Sequence, residues 1–461
     1  MDLLKRLQSA ADQGRNLLLD RELRIGITGL SRGGKTALIT SLVNTVCSFG
    51  DEDAASRLSR FPSFEKAGIC YGGLAPARDL SVAAFPYRNA MDSLTSEPPA
   101  WPEPTDGVSE IRLEIRYRDD RWLRKGQMRS LYLDIWDYPG EWLLDLMLLD
   151  LSYEEFSAAI AAQATKVRQV ADASIWQSAV SELDPLSPPD ERALAAAVEA
   201  YTAWLRACKE AGLAMVVPGR FVLPGNLAGA LLLQFVPWTG VPVSDHDAGS
   251  LYACLKTRYN AYREQVVRKF YRECFSKIDR QIVIIDCLQA LMGGKETFMD
   301  INDTFQVLLE NFNYGASSWW NRLFSPKIDK VVFAASKCDR ITYDEHHHLL
   351  SLLKSMVSLA VGQARADGAH CEYLVLSAIR AANCVTAEIR GQKHQVLVSA
   401  DPSVKPFYPG SVPEIWTREN MDFFQKYFRF VKLPPPALSP GQPIPELNLD
   451  VLLEYLIGDK L

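Results

Sequence analysis

Gly29-Leu30-Ser31-Arg32-Gly33-Gly34-Lys35-Thr36 satisfies every fixed position of G-x-x-x-x-G-K-[ST]. It is preceded by a short apolar stretch, Leu23 to Thr28, and followed by a helical pattern from Thr36 to Cys47. Strand, glycine-rich loop and helix in that order constrain the fold more than any other feature here. Such a loop wraps backbone N–H groups around an anion at the start of a helix. The spacing makes Ser31, Arg32, Gly33, Gly34, Lys35, Thr36 and Ala37 candidate phosphate-binding residues. Lys35 has the length to reach β- and γ-phosphate oxygens, and the Thr36 hydroxyl is a candidate Mg²⁺ ligand.

Three further strings follow in the order a guanine-nucleotide site requires. Asp137-Tyr138-Pro139-Gly140 ends an apolar strand, Ser130 to Trp136. Asp137 is placed to hold the metal ion through water, and the Gly140 N–H to sense a γ-phosphate. Ser336-Lys337-Cys338-Asp339 follows Val331 to Ala335 and matches [NT]-K-x-D except for its serine. A carboxylate at Asp339 can accept from guanine N1–H and N2–H₂, a pair adenine lacks, while the Lys337 stem can cover the purine. Ser377-Ala378-Ile379 stands where a backbone N–H would meet guanine O6. Thr105, just before the strand Val108 to Tyr117, is the candidate switch threonine on Mg²⁺. The loop between Thr36 and Thr105 is far longer than a minimal switch.

Catalysis is less completely specified. Glu141 follows Gly140, where Ras-like enzymes carry the glutamine that orients the attacking water. A carboxylate there can accept a proton but repels the γ-phosphate. Lys35, Gly140 and Glu141 are the candidate catalytic set. No Arg or Lys lies between Asn89 and Ile111. An arginine finger would therefore come from Arg32, Arg78, Arg88 or a partner protein.

The remaining pattern is α/β. Strands at Gln281 to Asp286, Lys330 to Ala335 and Glu372 to Leu376 alternate with helices near 302–312 and 345–364, which predicts a mostly parallel sheet covered on both faces. The expected organisation is an amphipathic N-terminal helix over 1–20 and a first part of a G domain over 21–140. A helical insertion over 141–279 and the second part of the G domain, with a hairpin and tail, over 280–461 complete it. Residues 51–104 read as irregular. A hairpin over Thr386 to Ser399, a proline-rich strap over Leu433 to Pro445 and a short helix over Asp450 to Leu456 complete the C-terminal part.

Bulk properties narrow the function classes. A net charge of −6 argues against nonspecific nucleic-acid binding. Nine cysteines without a C-x-x-C pair read as reduced thiols. Phe221 to Val243, the most apolar segment, is interrupted by Pro224, Pro237 and Pro242 and does not read as a spanning helix. The expected placement is cytoplasmic, with a peripheral contact at the inner membrane left open by the N-terminal helix and by Trp319-Trp320. His346-His347-His348 reads as a solvated first helical turn rather than a metal site.

The ordered motifs, together with Pro218 to Gly225, Phe407-Tyr408-Pro409-Gly410 and the ending Gly458-Asp459-Lys460-Leu461, resemble the YcjX-like P-loop NTPases of bacteria over nearly the whole chain. The resemblance implies a Ras-like G domain interrupted by a helical insertion, GTP or GDP with Mg²⁺, and an association with stress responses, including envelope stress. It names no effector and gives the proline-glycine segments no role. The leading expectation is a slow regulatory GTPase that switches conformation and acts through an unidentified effector or activating protein. An ATP-using P-loop enzyme and a nucleotide-holding scaffold are the alternatives.

Overall fold

The computed structural model describes residues 21–29, 33–105, 107–119, 126–213, 216–240, 248–293, 328–366, 369–389, 391–415, 417–429 and 431–461. The expected N-terminal helix, Ser31, Arg32, the helix expected near 302–312 and Trp319-Trp320 lie outside the described residues.

One sheet organises the chain. It comprises β1 (Arg21–Gly29), β2 (Tyr71–Leu74), β3 (Ala83–Ala84), β4 (Ser109–Asp119), β5 (Gln127–Asp137), β6 (Arg280–Ile285), β7 (Lys330–Ala335) and β8 (His370–Val375). Their order is β2-β4-β5-β1-β6-β7-β8, with β3 beside β4. From β5 to β8 every pairing is parallel, whereas β4 runs antiparallel to both β5 and β2. This is the α/β P-loop architecture expected, with helices inserted between β5 and β6.

Strand chemistry explains the layering. All of β6 is buried, and alternate residues feed opposite cores. Ile282 and Ile284 join the core beneath the P-loop helix Lys35–Cys47, which includes Leu38, Leu42 and Leu452. Val283 and Ile285 join the core that continues into the inserted helices through Leu148, Phe156 and Tyr259. β7 repeats the division, with Val332 and Ala334 on one side and Val331 and Phe333 on the other. Because these strands are parallel, Gly29, Asp137, Ile285, Ala335 and Val375 end at the same edge of the sheet. Ligands of open α/β sheets bind at that edge.

The inserted segment comprises the helices Gly140–Leu144, Tyr153–Lys166, Ser174–Ser181, Glu191–Glu210, Leu251–Ala261 and Arg268–Glu273, with a π-helical turn at Tyr262–Val267. The helices are interrupted by local turns. Between Lys166 and Ser174 the Asp172 carboxylate accepts from the Ser174 N–H, a local bond that competes with the helical ladder. Phe156 stacks on Tyr259 at 5.0 Å, and Phe221 meets Phe235 edge-on at 4.9 Å.

Residues 51–104 are more ordered than their composition suggests. They hold Pro62–Lys66, Tyr87–Thr95 and the edge strand β2, anchored by the contact of Phe49 with Phe64 at 5.1 Å. Tyr71-Gly72-Gly73-Leu74 is too short and glycine-rich to be read by alternation. The C-terminal hairpin forms as expected from β9 (Ala382–Ile389) and β10 (Gln392–Ser399). The helix Arg418–Tyr427, capped by Thr417, was not expected. Among the described residues no helix is long and apolar enough to cross a membrane.

The four-residue ending closes the opposite edge. Arg280, the first residue of β6, is fully buried and bonds both Asp459 oxygens at 2.7 Å and both Asp329 oxygens at 3.0 and 3.1 Å. Lys330 adds a 2.7 Å bond to Asp459. The tail therefore neutralises a guanidinium buried beneath the central strands.

Candidate nucleotide site

The end of β1 leads through the glycine-rich loop to Gly34, at φ 88°, and so into the helix that begins at Lys35. The Lys35 ammonium donates to the Asp137 carboxylate and, at 2.8 Å, to the Tyr138 carbonyl. The Thr105 hydroxyl donates to the other Asp137 oxygen. Asp137 is almost wholly buried, so its charge is balanced by Lys35 instead of by bulk water. Thr36 is buried on the same wall. Asp137 with the Thr36 and Thr105 hydroxyls is a hard-oxygen donor set, the chemistry Mg²⁺ takes.

The other end of the candidate site is built from two loops. Lys337 adopts a left-handed conformation at φ 60°, unusual for a residue with a side chain, and its ammonium bonds Asp286 at 2.6 Å. Asp339 is buried, and its carboxylate accepts from the Ser377 hydroxyl at 2.6 Å and from the Ala381 N–H at 2.8 Å. The Ser377 N–H is bonded to the Leu447 carbonyl. The serine thus contributes its hydroxyl, which orients Asp339. Ala378 and Ile379 line the same cleft.

That cleft, of about 550 Å³, brings Lys35, Thr36, Thr105 and Gly140 together with Lys337 and Asp339. Ala37, Gly33, Gly34, Glu141 and Ser377 also line it. Trp101, in the long loop before Thr105, closes one side by donating its indole N–H to the Leu433 carbonyl of the proline-rich strap at 3.2 Å. Arg78 is instead paired with Glu22, and Arg88 is exposed; neither lines the cleft. Glu141 is held by Lys209 at 2.8 Å, a cation the sequence did not single out.

The segment Pro218 to Gly225 acquires a role here. Its Gly219 lies against the Glu141 carbonyl, so closely that a β-carbon would not fit. The Gly219 N–H donates to Asp145 at 2.7 Å, and Tyr262, in the π-helical turn, donates to the other Asp145 oxygen at 2.5 Å. Trp142 donates to the Leu223 carbonyl at 3.0 Å while the Arg220 guanidinium stacks over its ring. Burial pushes the Asp145 carboxyl up to about 7, against the opposing pull of the Tyr262 and Gly219 hydrogen bonds. Gly140 itself abuts the Gly29 carbonyl, again without room for a side chain. Phosphate loop, Gly140 turn and inserted segment are thereby in direct backbone contact.

The histidine triplet divides. His346 is half-buried and bonds the Cys338 carbonyl at 3.0 Å, and His348 lies between Glu345 and Glu414; only His347 is exposed. The expected solvated turn is therefore corrected for His346, which braces the loop at Cys338. All nine cysteines are free thiols.

Sequence comparison meets this geometry from a separate direction. The model of the YcjX-like family matches residues 23–461. A protein of Escherichia coli (strain K12) named Ras-like GTPase YcjX is 39% identical over 470 residues, covering 99% of this chain and all of the relative. Its namesake in Shewanella oneidensis is 36% identical over 466 residues, covering 96% of this chain and 95% of the relative. With the match running from β1 to the final residue, through both ends of the cleft, this chain belongs to the YcjX-like family.

Proposed function

We propose that this chain binds GTP and GDP with Mg²⁺, hydrolyses GTP slowly, and changes conformation between the two nucleotide states. The observation that carries the reading is the meeting of two halves in one cleft. Lys35 and Thr105, both bonded to buried Asp137, stand at one end, and Lys337 with the doubly bonded Asp339 at the other. Asp339 needs to present oriented acceptor oxygens to read guanine, and the Ser377 hydroxyl and the Ala381 N–H fix their orientation. Adenine has no N1–H beside an exocyclic amino group at C2, so it cannot engage both oxygens of such a carboxylate as guanine does.

In this reading Lys35 leaves Asp137 for the phosphates, and Asp137, Thr36 and Thr105 hold Mg²⁺. Mg²⁺, when bound there, would supply charge neutralisation for the phosphates. The Gly140 N–H meets the γ-phosphate, and its displacement passes through Glu141 to Gly219 and the inserted helices. Relatives bearing the name Ras-like GTPase support this assignment. The role in a bacterial stress response and the action through a protein effector rest on the family resemblance.

Phosphate release tests the reaction. Without a partner, GTP with Mg²⁺ should turn over at roughly 10⁻⁴ to 10⁻² s⁻¹, the range of unassisted GTPases. Turnover of several per second, or faster release from ATP, contradicts the proposal.

A further inference from the structure

Glu141 poses an electrostatic problem that the inserted helices answer. A carboxylate next to Gly140 repels a γ-phosphate, yet this one lines the cleft and its side chain is only 15% exposed. Its charge is met by Lys209, in the last turn of the helix Glu191–Glu210. That lysine also lines the cleft, although it is 68 positions further along the chain and belongs to the insertion. A helix-terminal lysine serving only the helix dipole or a surface pair would face solvent. Here the ammonium is directed to the Gly140 end of the nucleotide cleft. The other cations lining the cleft have separate settings. Lys35 belongs to the phosphate loop, Lys337 is held by Asp286, Arg340 adjoins Asp339, and Lys432 is exposed just before the strap.

We propose that Lys209 is a built-in activating cation, carried by the helical insertion, which transfers from Glu141 to the terminal phosphate of GTP. The inference rests on GTP hydrolysis being the reaction. As the water oxygen bonds to the γ-phosphorus, the bond to the β–γ bridging oxygen breaks and its electron pair stays on GDP. The proton of the attacking water passes to the released phosphate. Negative charge grows on the bridging and γ-oxygens, and the ammonium of Lys209 stabilises it there, as an arginine finger does. Glu141, freed from its ion pair, accepts a hydrogen bond from the water. The insertion therefore gates the reaction. Only a chain with the Glu191–Glu210 helix seated against the Gly140 turn presents the cation.

The test is single-turnover hydrolysis with protein in excess over GTP. It compares wild type, Lys209→Ala, Lys209→Gln and Lys209→Arg, with GDP affinity and capture of GDP with aluminium fluoride measured alongside. A finger in trans gives about 10³- to 10⁵-fold; a lysine point charge takes a smaller share, so Ala and Gln should slow the wild-type step roughly 30-fold. GDP affinity should be unchanged, capture of GDP–aluminium fluoride should be lost, and Arg should retain most of the rate. Ala and Gln variants that hydrolyse GTP and capture aluminium fluoride like the wild type overturn the role of Lys209 and leave the GTPase reading intact. A wild type that binds guanine nucleotide without turning GTP over overturns both.

Discussion

The carbonyl oxygen of Glu141 occupies the space that a β-carbon on Gly219 would need. This contact joins the residue after Gly140 to the inserted segment through backbone alone, without a side chain to cushion it. Displacement of one must displace the other.

Gly219→Ala should therefore be costly. The added methyl forces the two backbones apart, and strain of this kind costs about 1–3 kcal/mol. A lower denaturant midpoint with an unchanged slope is the expected result. A midpoint equal to that of the wild type would mean that the contact is slack and transmits nothing.

Asp145 makes the same junction sensitive to pH. Its folded pKa of about 7 lies above the unfolded value of about 3.9. The stabilisation is fully present below the unfolded value and is lost as pH rises through about 7. Wild-type stability should fall between about pH 4 and pH 7 by an amount on the order of a few kcal/mol from this group, and level off above that. Glu110, also raised to about 7 by burial and by the nearby Asp134 charge, adds a slope of the same sign. The informative quantity is the difference: Asp145→Asn should flatten the melting-temperature profile, and parallel profiles would remove Asp145 as its source.

Ser377→Ala probes the base-reading end. Loss of the 2.6 Å bond leaves Asp339 oriented by Ala381 alone. A hydrogen bond to a charged group contributes about 1.5–3 kcal/mol, so GDP affinity should fall by roughly tenfold or more. The bond is present without nucleotide, so the melting temperature of the nucleotide-free protein should fall as well. Unchanged GDP affinity would show that the hydroxyl does not support the base reader.

The C-terminal ending should behave as structure rather than as a loose tail. Burial alone would raise the Asp459 carboxyl, but bonds from Arg280 and Lys330 hold it well below the carboxylate range. Asp459→Ala leaves buried Arg280 with Asp329 as its remaining carboxylate partner and should cost roughly 2 kcal/mol, less than for a wholly buried pair. Chemical denaturation measures this directly. A wild-type midpoint would contradict the role assigned to the ending.

What could be read in advance follows from locality. The strand, glycine-rich loop and helix at Gly29 to Cys47 are written in adjacent residues, as is the apolar run before Ser336. The strand expected over Val108 to Tyr117 matches β4 to within two residues, whereas β5 begins three residues before the expected Ser130. By contrast, Asp286 as the partner of Lys337, the Ser377 hydroxyl as the support of Asp339, and Lys209 as the partner of Glu141 depend on chain segments brought together only by the fold. Lys209 had no local mark, since a lysine in the last turn of a helix is ordinary. Pro218 to Gly225 was conspicuous as a string, but its meaning lies in the turn it touches. Short elements such as β2 and the helix Tyr87–Thr95 escaped because packing, rather than periodicity, selects them.

The central claim is that this cleft reads guanine through Asp339. Calorimetric titration of GTP, GDP and ATP, each with Mg²⁺, into wild type and Asp339→Ala tests it most directly. Tight binding of GTP and GDP, weak binding of ATP, and selective loss of guanine binding in the variant are the predicted results. ATP binding as tight as GTP binding, and unaffected by the substitution, would contradict the account.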